Sequence, residues 1–150
     1  MGSKLSASAS VIMNVGVARV WEVMTNPKIM KEYFEGAVTK TNWQVGSEII
    51  TDYKWDGIKY RDRGVIQENI FHNKISYTYW NPNWELKDIP KNYGLLTYEF
   101  TPIDLTHTEF RWTQAGYPKY WHDLEKDRIG EFLEGIKSIA EKKKQKLKKK

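Results

Sequence analysis

The sequence predicts an α+β fold, a curved antiparallel sheet of about six to seven strands around a long C-terminal helix, with two short helices after the first strand. Three observations predict it. Residues 116–141 carry apolar side chains at steps of three and four, among them Trp121, Leu124, Ile129, Phe132, Leu133, Ile136, Ile139 and Ala140. Residues 37–114 instead alternate apolar and polar positions, the two-residue period of strands. The alternating runs are joined by short connections, which suit antiparallel pairing.

The chain opens on ten small and polar residues, and a first strand is expected over 4–13. Met1-Gly2-Ser3-Lys4-Leu5-Ser6 matches the loose pattern for N-myristoylation, but six residues of low complexity match often by chance. Val17, Val20, Trp21 and Met24 then follow helical spacing, predicting a helix over 15–24 with Asn14 as its cap. Thr25-Asn26-Pro27 stops it and starts a second helix, with Asn26 as cap and Pro27 in the first turn. Ile29, Met30, Tyr33 and Phe34 form its apolar side, and Gly36 ends it.

Next come the strands. Ile49, Thr51, Tyr53 and Trp55 alternate with Ile50, Asp52 and Lys54, and Asp56-Gly57 is a strong hairpin signal. The run 58–71 is long and contains Gly64, a bulge or bend in a curved sheet. His72-Asn73 turns the chain into Ile75, Tyr77 and Tyr79, again alternating. Residues 81–92 hold two prolines and little periodicity, which predicts a loop and a candidate lid. Runs 93–101 and 106–114 form the last hairpin. Gly116 then ends the sheet, and Pro118 suits the first turn of the final helix. Some 25 residues at 1.5 Å each give a rod of about 37 Å. Gly130 and Gly135 interrupt it, each costing about 1 kcal/mol relative to Ala, which marks either close backbone approach or open space.

Composition bounds the function. At 150 residues the chain reads as one domain over 1–141, followed by a Lys-rich tail over 142–150. Aromatic residues make up 14%, either a bulky core or an aromatic-lined cavity. The absence of cysteine excludes disulfides, thiolate metal sites and cysteine nucleophiles, and it fits a reducing, cytoplasmic location. No run is long and apolar enough for a membrane span, and the N-terminus does not read as a secretory signal. The net charge is +5, but seven lysines of the tail outweigh a body of 17 basic and 19 acidic residues. The tail reads as a frayed helix end or solvated segment, the alternative being contact with nucleic acid or an acidic membrane. Neither nucleic acid nor membrane is the expected partner of the body.

The order strand, two short helices, antiparallel strands and long C-terminal helix, taken with its motifs, resembles a known family. The motifs are Val20-Trp21 before Thr25-Asn26-Pro27; Trp43-Gln44-Val45-Gly46; Asp56-Gly57; Gly64-Val65 with Glu68; Ile75-Ser76-Tyr77-Thr78-Tyr79-Trp80; and residues 108–114 leading into the last helix. Together they resemble the helix-grip fold of the START-like, birch-pollen-allergen-like (SRPBCC) superfamily. The narrower likeness is to the domain family named for homologues of the activator of the ninety-kilodalton heat-shock protein's ATPase. The resemblance implies a curved sheet gripping the long helix around a cavity that binds apolar molecules; a few members are cyclases. The acidic, elongated activation region of a full co-chaperone is not seen here, so that role is the lesser expectation.

On alternation and on that analogy, the candidate ligand-binding residues are Phe34, Tyr53, Trp55, Tyr77, Tyr79, Tyr98, Trp112, Trp121, Leu124 and Arg128. Each aromatic could equally be solid core. Arg128 falls on the apolar stripe, where it would anchor a carboxylate or phosphate or else snorkel at the edge. His72, His107 and His122 form no metal-ligand spacing, and no nucleophile motif occurs, so no catalytic residue, metal or cofactor is expected. Asp52, Asp62, Glu68, Glu99 and Glu109 sit on predicted strands and are expected to face outward. The reading is therefore a binder of a small hydrophobic or aromatic molecule, with residues 81–92 and 30–34 gating access. A cyclase- or hydrolase-like enzyme in the same cavity would instead show an inward carboxylate or His with a perturbed pKa. A protein-interaction domain would show a filled cavity and an exposed apolar patch.

Overall fold

The computed structural model describes residues 5–149, with side chains described through Lys142. The myristoylation-like pattern begins, and most side chains of the Lys-rich tail lie, outside those residues. Seven strands form one antiparallel sheet: β1 (Ser6–Met13), β2 (Val38–Lys40), β3 (Glu48–Trp55), β4 (Ile58–Ile70), β5 (Lys74–Tyr79), β6 (Gly94–Asp104) and β7 (His107–Ala115). The spatial order is β1-β7-β6-β5-β4-β3-β2. Helices α1 (Val17–Thr25) and α2 (Pro27–Tyr33) carry the chain from one edge of the sheet to the other. The fold is the expected α+β helix grip.

Local chemistry explains most boundaries. The Asn26 side chain accepts the Lys28 N–H at 2.9 Å and caps α2, whose first residue is Pro27. Asn14 does not cap α1. The N-cap is Gly16, where a Cβ would come within 2.7 Å of the Leu105 carbonyl oxygen, and the Asn14 N–H donates to Glu141 at 2.7 Å. The bend expected at Gly64 is a close approach: a Cβ there would lie 1.8 Å from the Thr78 carbonyl oxygen. The bulge itself falls two residues on, between Ile66 and Glu68.

The C-terminal segment is two helices, not one. Helix α3 spans Lys119–Glu125 and α4 spans Ile129–Lys149, with a turn of three residues between them closed by the Arg128 N–H on the Glu125 carbonyl at 2.8 Å. The buried line of α4 is Ile129, Leu133, Ile136 and Ala140, at steps of four, three and four. In α3 no residue is buried; Trp121, His122 and Glu125 are half-buried and Leu124 is exposed. The backbone helix continues through the lysines to Lys149.

The sheet's concave face and α4 enclose the core. Met13, Val20, Val23, Met24, Met30, Phe100, Phe110, Leu133 and Ile136 are all buried together. Helix α4 packs on β1, α1 and α2, so this packed part sits at the β1 side of the sheet.

Candidate functional site

Toward β3 and β4 the concave face does not close. Strand parity places Ile49, Thr51 and Tyr53 of β3 beside Asp62 and Gly64 of β4, since Ile49 pairs with Gly64 and Thr51 with Asp62. Tyr77 and Tyr79 of β5, Leu96 of β6, and Trp112 and Gln114 of β7 continue the same face. With Phe34, Tyr117, Glu125, Arg128, Ile129 and Phe132 these residues enclose a cavity of about 490 Å³. That volume is in the range of small-molecule sites.

Of the candidate residues, Phe34, Tyr53, Trp55, Tyr77, Tyr79, Trp112 and Arg128 line this cavity. Trp55 and Arg128 are also exposed to solvent, so they stand at its rim. Three candidates lie elsewhere. Tyr98 is wholly buried behind Tyr77, its hydroxyl 2.7 Å from that of Tyr77. Trp121 is half-buried and Leu124 is 37% exposed, and neither lines this cavity. The loop 81–92 is pinned rather than free: Trp84 is buried against Tyr79 and Tyr117, with ring centroids at 5.6 and 4.9 Å.

The polar groups of the cavity are concentrated at one end. Asp62, expected to face outward, faces in and is only 8% exposed. The Tyr79 hydroxyl donates to its Oδ2, and among the described residues its Oδ1 has no partner. Tyr79 also accepts from Asn81 Nδ2 at 3.2 Å, and Tyr53 accepts from Asn83 Nδ2 at 3.3 Å. Burial pushes the Asp62 carboxyl up to about 6, with the nearby Glu125 charge adding to the rise and the tyrosine hydroxyls opposing it. Glu125 is also raised, chiefly by burial, while a 3.2 Å hydrogen bond from Gln114 Nε2 opposes the shift. Gln114 Oε1 in turn accepts from the Trp112 indole at 3.0 Å. Burial likewise raises Tyr53, Tyr77, Tyr79 and Tyr117, so the phenols act as neutral hydrogen-bonding groups.

The other strand carboxylates behave differently. Asp52 pairs with Arg61 at 2.7 Å and Glu68 with Lys74 at 3.2 Å, both near the surface. Among the lining residues outside the candidate set are Asp62, Gln114, Tyr117, Glu125 and Phe132. Parity held the signal for two of them. Asp62 keeps step with Gly64 and Ile66, and Gln114 keeps step with Phe110 and Trp112. Glu125 and Phe132 share the helical phase of Ile129. Tyr117, between Gly116 and Pro118, carried no periodic signal. Among the described residues no group of three or more His, Asp and Glu could hold a metal ion, and no helix is long and apolar enough to cross a membrane.

Comparisons with known proteins fit this architecture. The solution structure of a protein from Cytophaga hutchinsonii is similar at 29% identity, covering 97% of this chain and 99% of that one, with a TM-score of 0.81. An HSP90 activator from Plasmodium falciparum is similar at 19% identity, 91% and 86% coverage and a TM-score of 0.61. Ara h 8.0201 shares the fold at 10% identity, 91% and 97% coverage and a TM-score of 0.70. A search of curated proteins gives no match. Residues 14–141 match the family described as activator of Hsp90 ATPase homolog 1-like protein, and the chain belongs to that family, within the START-like, birch-pollen-allergen-like superfamily.

Proposed function

We propose that this protein binds a small hydrophobic or aromatic molecule in the cavity between the sheet and the C-terminal helices. The observation that carries the reading is the cavity itself, about 490 Å³ and walled by Phe34, Tyr77, Trp112, Ile129 and Phe132. A ligand burying about 250 Å² of apolar surface there would gain about 6 kcal/mol from burial. The tyrosine–asparagine cluster and Arg128 at the rim would set its orientation. An interaction domain with a filled core would leave no such space.

A second reading has its own observation. Asp62 is an inward carboxylate with a raised pKa and a phenol on one oxygen, the arrangement an acid–base enzyme in this cavity would use. In both readings the cavity holds a small molecule.

The test is native mass spectrometry followed by solvent extraction. The expected result is a released small molecule at one per chain, or, if weak ligands are lost on purification, thermal stabilisation by members of an apolar ligand library. A clean apo mass together with no stabilisation by any library member would overturn the proposal.

A further inference from the structure

Asp62 is an incomplete interaction. Buried anions ordinarily keep a cationic partner, because an isolated charge in a low-dielectric interior is costly. Asp62 forms no ion pair with any described residue. Its neighbours on β4 are committed elsewhere, Arg61 to Asp52 at 2.7 Å and Arg63 to Glu48 at 2.8 Å. Its Oδ1 is buried and unpartnered.

A second carboxylate lines the same cavity. Glu125 receives one hydrogen bond, from Gln114, and its charge works against that of Asp62. The walls between them are aromatic, and the faces of such rings are negative. Tyr53 lines the cavity, and Tyr79 and Tyr117 stack on each other at 5.6 Å. Of the basic residues lining the cavity, Lys54 and Arg128 are exposed at the rim, where the Arg128 charge acts on Glu125, and Arg63 is paired; none forms an ion pair with Asp62. Phe34 stacks on Phe132, and Phe132 meets Trp112 edge to face, which makes an aromatic berth.

Building on the cavity reading, we infer that the ligand is an arylalkylamine-like molecule whose ammonium group is held by Asp62 and Glu125 and whose apolar body lies against Trp112 and Phe132. The ammonium supplies the donor that Asp62 Oδ1 lacks and separates the two carboxylates electrostatically. An anionic ligand of the same shape would meet two like charges.

Three probes of one shape test this by isothermal titration calorimetry at neutral pH: tryptamine, tryptophol and indoleacetate. The expected ranking is tryptamine about tenfold tighter than tryptophol, with indoleacetate weakest. In Asp62→Asn, the preference for tryptamine over tryptophol should shrink severalfold, while tryptophol changes by less than about twofold. Glu125→Gln should show a smaller loss of the same kind. The wild-type ranking needs no variant, so a poorly folded substitution leaves the test standing. Equal binding of amine and alcohol, or a preference for the amine that is undiminished in Asp62→Asn, overturns the inference. Binding of tryptophol without tryptamine overturns it but leaves the cavity reading standing. If no probe binds, the amine assignment falls, and the cavity reading then rests on the extraction experiment alone.

Discussion

The two halves of the concave face belong to one sheet and are covered by the same C-terminal segment, yet one is solid and the other hollow. On the β1 side, Met13, Met24, Met30, Phe100, Phe110, Leu133 and Ile136 fill the space with flexible thioethers, rings and branched aliphatics. On the β3 side, Tyr53, Asp62, Tyr77, Tyr79, Gln114 and Glu125 line it. Side chains of the first kind can interdigitate to crystal-like density. Those of the second kind carry oxygens that must keep a partner, so they hold one another off at hydrogen-bond distances and leave room between. The boundary runs through Tyr98, whose ring packs on Phe110 while its hydroxyl meets Tyr77. Stability should reside in the packed half and recognition in the hollow one, and substitutions can separate the two.

The largest effect is expected from the packed half. Leu133 is wholly buried, so Leu133→Ala should cost about 3–4 kcal/mol in urea denaturation, through lost transfer energy plus the void left behind. Ligand affinity of the folded fraction should hardly change. A cost below about 1 kcal/mol would show that this half is as loosely filled as the other.

In the hollow half the corresponding substitution should stabilise. The Asp62 carboxyl is raised to about 6 in the folded protein, against an ordinary value near 4 when unfolded. The folded state therefore binds the proton more tightly, and the penalty for its ionisation is absent below about pH 4, grows up to about pH 6 and is constant above. The groups facing it are Tyr53 from β3, Tyr79 from β5 and Glu125 from α3, with no cation among them. Asp62→Asn should thus stabilise the free protein by about 2–3 kcal/mol at pH 7 and by almost nothing at pH 4. Urea midpoints at the two pH values measure this, and equal gains at both would remove ionisation as the cause. Smaller again is Tyr77→Phe, which leaves the wholly buried Tyr98 hydroxyl without its 2.7 Å partner and should cost about 1–2 kcal/mol by the same assay.

The same contrast explains what could be read before the structure. The packed half announces itself by period. Ile129, Leu133, Ile136 and Ala140 keep helical phase, and Phe110 and Trp112 keep strand phase, because apolar burial repeats with the backbone. The caps at Asn26 and Pro27 were legible for a local reason, since the side chain bonds its own backbone two residues on. The hollow half gives little warning. Around Asp62 the sequence Lys59-Tyr60-Arg61-Asp62-Arg63 is polar on both faces, so hydropathy does not show which side is inward. The cue is parity with Gly64 and Ile66 further along β4, and pairing with Thr51 in β3 and the hydrogen bond from Tyr79 agree with it. Trp121 and Leu124 are apolar and near the stripe, but the break at residues 126–128 separates them from α4, and neither lines the cavity.

The smallest effect concerns the glycines of α4 and decides between the two explanations the sequence leaves open. A Cβ at Gly135 would meet nothing within 4 Å, and the residue is exposed on a helix whose far face packs on β1. No partner backbone approaches it, so the glycine only adds freedom to the unfolded chain and lowers helix propensity. Gly135→Ala should then stabilise by about 1 kcal/mol, raising the melting temperature by about 2–4 °C in a chain of this size. Gly64→Ala is the opposite control, because its Cβ would collide with the Thr78 carbonyl. If Gly135→Ala were neutral for stability but weakened ligand binding, the helix would need its glycine for motion over the cavity, and the division into a rigid packed half and a recognising hollow half would have to give way to one coupled unit.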